Sequence, residues 1–166
     1  GTNEFAVIVS YWLLVIIFLV IIFLYDLKHY LILDKVSVPA IIIFIVLDIV
    51  MFLFFGFSEY MLSKVVISVI IGGGWFLIQF VFSKGKWVGG GDIRLGILMG
   101  LILSWPNILT ALFIAYVGGS LISLPLILLK KKGMKSQIPF GIFLVPATMI
   151  AMWWGNDLIN WYLNLF

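Results

Sequence analysis

From Phe5 to Tyr25 the chain runs without a charged side chain, and apolar runs of similar length recur at Val38–Phe57, Leu62–Phe82 and Ile108–Leu129. A helix crossing the hydrocarbon core needs roughly 20 mostly apolar residues, because about 1.5 Å per residue must cover about 30 Å. Backbone in lipid has to satisfy its own hydrogen bonds, so runs of this length commit the chain to helices. A fifth run, Ile138 to about Trp154, is slightly shorter and continues into an amphipathic tail to Phe166. A sixth apolar piece, Ile93–Leu103, is bounded by Asp92 and by Trp105-Pro106. It reaches only about 17 Å, so it starts below the membrane surface or packs inside the bundle. The expected fold is all-α: a polytopic membrane helix bundle of about six transmembrane helices with a short fourth helix. One membrane-embedded domain over residues 1–166 is expected, since no linker, low-complexity segment or long repeat interrupts it.

Composition narrows the function. The residues are 64% hydrophobic and 10% charged, against about 45–50% and about 25% in an ordinary soluble domain. A soluble enzyme, a disordered chain and a nucleic-acid binder are thereby excluded. With no cysteine there is no disulfide framework, thiolate zinc site or thiol nucleophile. The first run exceeds the apolar core of a signal peptide, about 7–15 residues, and lacks a basic start, so it is expected to be a retained helix.

The charges order the chain across the membrane. Lys28 and Lys35 lie between the first two helices, Lys84, Lys86 and Arg94 around the third-to-fourth connection, and Lys130, Lys131, Lys132 and Lys135 between the last two. Only Lys64 lies elsewhere, and Glu4, Glu59 and Asp157 fall at the opposite ends. The positive-inside rule then places these three connections in the cytoplasm and both termini outside. Trp12, Trp87, Trp105, Trp153, Trp154 and Trp161 fall near helix ends, as an interfacial belt does, and Trp75 is expected to pack between helices. Gly72-Gly73-Gly74 and Gly118-Gly119 are expected to let helices approach closely or to allow a local kink.

Carboxylates within membrane helices are expensive and mark function. Asp26 ends the first run; Asp92 follows Gly89-Gly90-Gly91 and opens the short fourth helix. In this orientation the two lie at one depth on the cytoplasmic side. Two carboxyls sharing a proton can activate a water and protonate a leaving group. As a structural alternative, Asp92 caps its helix and Asp26 balances Lys28. Three consecutive glycines beside a carboxylate go beyond a cap, since they clear room for an extended peptide backbone. Lys28 and Arg94, each two residues past an acid, do not share its helix face and are expected to snorkel toward lipid phosphates. Asp48 is expected to face the interior and hydrogen-bond there, as a structural group or a remote proton path. His29 is an interfacial side chain; as the one histidine it leaves no ligand set for a metal, and no cofactor is expected.

These segments resemble the type IV prepilin peptidases. Gly89-Gly90-Gly91-Asp92 is similar to the family's glycine–any–glycine–aspartate signature, and Asp26 through Asp34 resembles its first aspartate segment, with a second acid eight positions on. Ile138-Pro139-Phe140-Gly141 looks like its proline–phenylalanine–glycine block. The resemblance spans roughly Phe5 to Trp154 and implies an intramembrane aspartic endopeptidase. Such an enzyme removes a short basic leader from type IV prepilins or pseudopilins at the cytoplasmic face of the plasma (inner) membrane. It assigns the catalytic pair to Asp26 and Asp92. Gly89, Gly90, Gly91, Asp34, Pro139, Phe140 and Gly141 are candidates for substrate binding. Expected partners are a prepilin with leader and membrane helix, and the lipid bilayer, with no nucleic acid. Leu33 stands where many members have proline. The cysteine-bearing part that supports methylation in many bacterial members has no counterpart here, implying cleavage without methylation unless such a segment precedes Gly1. Two other readings differ from this one: a signal-peptide-peptidase or presenilin-like protease, which runs the opposite way through the membrane, and a non-enzymatic transport or scaffold protein built around Asp48.

Overall fold

A computed structural model describes residues 2–54, 58–128 and 139–165. The basic cluster at Lys130, Lys131, Lys132 and Lys135, Ile138 and the end of the second run, Phe55–Phe57, lie outside the described residues. Six helices follow in order: α1 (Thr2–His29), α2 (Asp34–Phe54), α3 (Glu59–Ser83), α4 (Gly90–Leu103), α5 (Asn107–Leu128) and α6 (Gly141–Leu163). No strand occurs among the described residues. Five of the helices, all but α4, are long and apolar enough to cross a membrane.

The boundaries show where local chemistry ends each helix. α1 continues past the apolar run to His29, so Asp26 sits within its last turn, and Tyr30 stops the helix in the left-handed region (φ 57°). α3 begins at Ser58, whose side chain accepts from the Met61 N–H, and ends at Lys84, also left-handed. α6 begins at Gly141 and carries straight on through the amphipathic tail to Leu163.

The short helix occupies the centre. α4 has 14 residues, about 21 Å of rise, and it starts three residues earlier than its apolar run suggests. It packs against α2, α3, α5 and α6, and nine of its residues, including Leu95, Leu98 and Met99, are buried. The membrane-crossing helices are the reverse: large apolar side chains such as Ile17, Ile70 and Phe113 face outward, where lipid solvates them.

Lipid tails are as apolar as the core, so the helices associate through close packing and polar contacts rather than by escaping water. The closest approach is α3 on α4. A side chain at Gly72 would meet the Gly96 carbonyl, one at Gly96 would meet the Gly72 carbonyl, and one at Gly100 would lie 2.6 Å from the Val69 Cα. Of the expected glycine contacts, Gly72 and Gly73 are therefore interfacial and Gly119 touches the Phe140 and Phe143 rings, whereas Gly74 and Gly118 face open space. The weaker α3–α5 seam carries a polar cluster. The Tyr116 hydroxyl accepts from Trp75 Nε1 at 2.9 Å and from Gln79 Nε2 at 2.7 Å, and donates to Gln79 Oε1 at 3.0 Å. Trp75 thus reaches α5 through Tyr116, but its ring is half exposed on the outer face rather than enclosed between helices as expected.

Candidate active site

Because α1, α3 and α5 end where α2, α4 and α6 begin, one end of the bundle collects Asp26, Asp34, the Gly89 cap and the Gly90–Gly91 start of α4, Asp92 and the start of α6. A cavity of about 790 Å³ opens there, lined by both Asp26 and Asp92. The two acids, 66 positions apart in sequence (92 − 26), are only 3% and 9% exposed, and they lie close enough to repel one another electrostatically.

Backbone dipoles make room for two buried carboxyls side by side. Asp92 is in the first turn of α4; its Oδ2 accepts the Gly89 N–H at 2.8 Å, and its own N–H donates to the Gly89 carbonyl at 3.1 Å. Burial pushes its carboxyl above the ordinary range, against the pull of that Gly89 N–H. Asp26 faces the first turn of α6, where the N–H groups of Gly141 and Ile142 point at its carboxyl. Each acid therefore stands at the positive end of a helix, where unpaired N–H groups favour negative charge. The Asp26 Oδ2 itself has no hydrogen-bond partner among the described residues.

The glycines divide the work. A Cβ at Gly141 would lie 2.5 Å from the Asp26 Oδ2, so only a glycine lets the α6 terminus come this close. A Cβ at Gly91 would lie 2.7 Å from that of Ile32, so Gly91 is filled by the protein's own packing. At Gly90 nothing comes within 4 Å, and that is the open edge of the first turn of α4. Pro139 and Phe140 form the far wall, with the Phe140 ring 5.0 Å from Tyr116 and 6.1 Å from Phe76.

Arg94 departs from expectation. Instead of reaching outward, its guanidinium pairs with Asp34 at the cavity rim, and its Nε has no partner among the described residues. The spacing argument excluded Asp92 as its partner; α2 begins beside α4 and supplies one. Lys28 is exposed, and His29 stacks on Tyr25 with ring centroids 4.3 Å apart. Asp48 also departs: it lies toward the opposite end, and its Oδ2 is buried with no hydrogen-bond partner among the described residues. The sequence reading missed Ile32, Val88 and the Gly141–Ile142 amides; the amides follow from the glycine block only once α6 is known to start there.

The fold and this cavity define a polytopic helical membrane protein with two carboxyls brought together at one end of the bundle. Residues 13–124 match the type IV leader peptidase family, and the chain belongs to that family of peptidases. Among its relatives are proteins named prepilin leader peptidase/N-methyltransferase. The one from Legionella pneumophila is 36% identical over 77 residues, covering 46% of this chain and 27% of that protein. The one from Aeromonas hydrophila is 34% identical over 79 residues, covering 48% and 27%. The one from Xanthomonas campestris pv. campestris is 27% identical over 141 residues, covering 84% and 48%. The chain thus matches less than half the length of these curated relatives. No solved structure matches it significantly.

Proposed function

We propose that this chain is a membrane aspartic endopeptidase that cuts the short basic leader from type IV prepilins or pseudopilins, with Asp26 and Asp92 as its catalytic pair. The observation that carries the reading is the meeting of these two buried carboxyls in one cavity. The pair holds one proton, since two negative charges facing one another in a single cavity repel. The ionised member takes a proton from a water, whose oxygen attacks the scissile carbonyl carbon. The protonated member gives its proton to the carbonyl oxygen, and collapse of the tetrahedral species releases the amine with a proton returned to it. The helix ends facing both acids hold the charge in place without water, and Gly90 gives an extended leader backbone access to the pair. Asp34 at the rim, paired with Arg94, is the candidate contact for the leader segment.

The basic connections support a cytoplasmic site and extracytoplasmic termini in the plasma membrane: Lys86 and Arg94 line the aspartate cavity, and Glu59 is at the other end. Cleavage of a co-expressed prepilin by wild type, Asp26→Asn and Asp92→Asn tests the pair. Loss of the mobility shift in both variants, at unchanged membrane abundance, is expected; activity retained in either one refutes the dyad. Impermeant thiol labelling of Lys86→Cys and Glu59→Cys, in this cysteine-free chain, tests the orientation. Only the cysteine at 59 should label from outside.

A further inference from the structure

At the mouth of the aspartate cavity the exposed acid is already taken. Three acids line the cavity, Asp26, Asp34 and Asp92, together with two bases, Lys86 and Arg94. Asp26 and Asp92 form the buried pair, so Asp34, at 63% exposure, is the acid that a cationic side chain of a substrate can reach. It stands in the first turn of α2, where the positive end of the helix favours its negative charge. Arg94 occupies it from α4. A lysine or arginine of a leader therefore meets a rim whose one exposed acid is compensated, with Lys86 adding repulsion.

The ion pair is not what holds α2 on α4. Two residues before Asp34, Ile32 is buried against Gly91, where a Cβ would lie 2.7 Å from its own. Ser37, Ala40 and Phe44 continue the buried face of α2, which packs on α4. Nor does the pair satisfy Arg94, whose Nε is buried with no partner among the described residues. An ion pair this exposed holds weakly, so a second cation can replace the first at little cost. We propose that Asp34 is the subsite for a basic side chain of the leader and that Arg94 is its tethered competitor, displaced when the leader binds. The inference rests on the peptidase reading and adds a specificity residue to it, since Arg94 sets how strongly a basic leader is favoured over a neutral one.

The test compares one prepilin carrying lysines in its leader with the same prepilin carrying glutamines there, cleaved in uncharged detergent. The quantity read is the preference, the ratio of kcat/KM for the basic leader over the neutral one. Wild type should show a modest preference. Arg94→Gln removes the competitor and should raise the preference by about two- to fivefold, the strength of one exposed ion pair, through KM rather than kcat. Asp34→Asn should bring the preference to one or below, and Arg94→Gln added to it should no longer lift the ratio above one. An arginine that only braced the helices would slow both substrates alike when replaced. An unchanged or lowered preference in Arg94→Gln therefore overturns the proposal, as does equal cleavage of the two leaders by wild type or a preference that survives Asp34→Asn. Should the Arg94 variant fail to accumulate, Asp34→Asn decides alone, because its exposed carboxyl is replaced by a group of the same shape. If wild type cleaves neither prepilin, the peptidase reading falls and this inference with it; cleavage with the wrong preferences overturns the inference alone.

Discussion

Adding one methyl group at Gly141 should disable the site while leaving the fold standing. The Cβ of Gly141→Ala would lie 2.5 Å from the Asp26 Oδ2 and 3.0 Å from its Cγ, where ordinary contact begins near 3.4 Å. Either the Asp26 carboxyl or the first turn of α6 must move by roughly 0.9 Å (3.4 − 2.5). That movement separates Asp26 from the Gly141 and Ile142 N–H groups and changes its position relative to Asp92. A misplacement of about 1 Å at a reacting centre costs about 100-fold in rate, equivalent to about 2.7 kcal/mol of barrier. The overlap itself costs about 1–3 kcal/mol of stability. Gly118→Ala is the matched control, because its added methyl meets nothing within 4 Å and it lies outside the aspartate cavity. The assay is the initial rate of leader cleavage from a purified prepilin in detergent or vesicles, with Tm measured alongside. Gly141→Ala should cleave about 100-fold more slowly and Gly118→Ala within a few-fold of wild type. Cleavage by Gly141→Ala within twofold of wild type would refute the argument that α6 positions Asp26.

Other expectations concern the scaffold. Gly72→Ala should lower Tm by several degrees and Gly74→Ala should leave it unchanged, because a Cβ at 72 meets the Gly96 backbone and one at 74 meets nothing. Equal Tm values would contradict the packing of α3 on α4. Tyr116→Phe strands the Trp75 and Gln79 groups that the hydroxyl satisfies and should cost about 1–3 kcal/mol, read by thermal unfolding. The Arg94–Asp34 pair sits at the rim with Asp34 63% exposed, so a double-mutant cycle on stability should give a coupling below about 1 kcal/mol. A larger coupling would mean that the pair braces the loop.

The sequence made the site partly legible through alternation. Asp26 stands at the end of one apolar run and Asp92 at the start of another, with three such connections between the two ends of the chain. Helices that alternate direction must bring those two ends to one side. The short fourth run likewise announced an interior helix, since about 17 Å cannot cross the core. What stayed hidden was rotational. Only 17–33% of each spanning window is buried, and the outward faces are as apolar as the inward ones, so hydrophobic pattern does not say which side of a helix turns inward. Hence Trp75 was turned the wrong way, and Gly96 and Gly100, which seat α4 on α3, passed unnoticed beside the more conspicuous Gly72–Gly74.

The number of helices, the shortness of α4 and the clustering of Asp26, Asp34 and Asp92 at one end were all determined by the sequence alone. They follow from the hydrogen-bonding demands of a backbone in lipid and from the rise of a helix. Which groups touch was decided by the tertiary structure: Gly141 against Asp26, Arg94 beside Asp34 and Gly91 on Ile32. Contacts between helices depend on the rotation and axial shift of each helix. Those are set by backbone approach and side-chain shape, which an almost uniformly apolar sequence does not encode as a pattern.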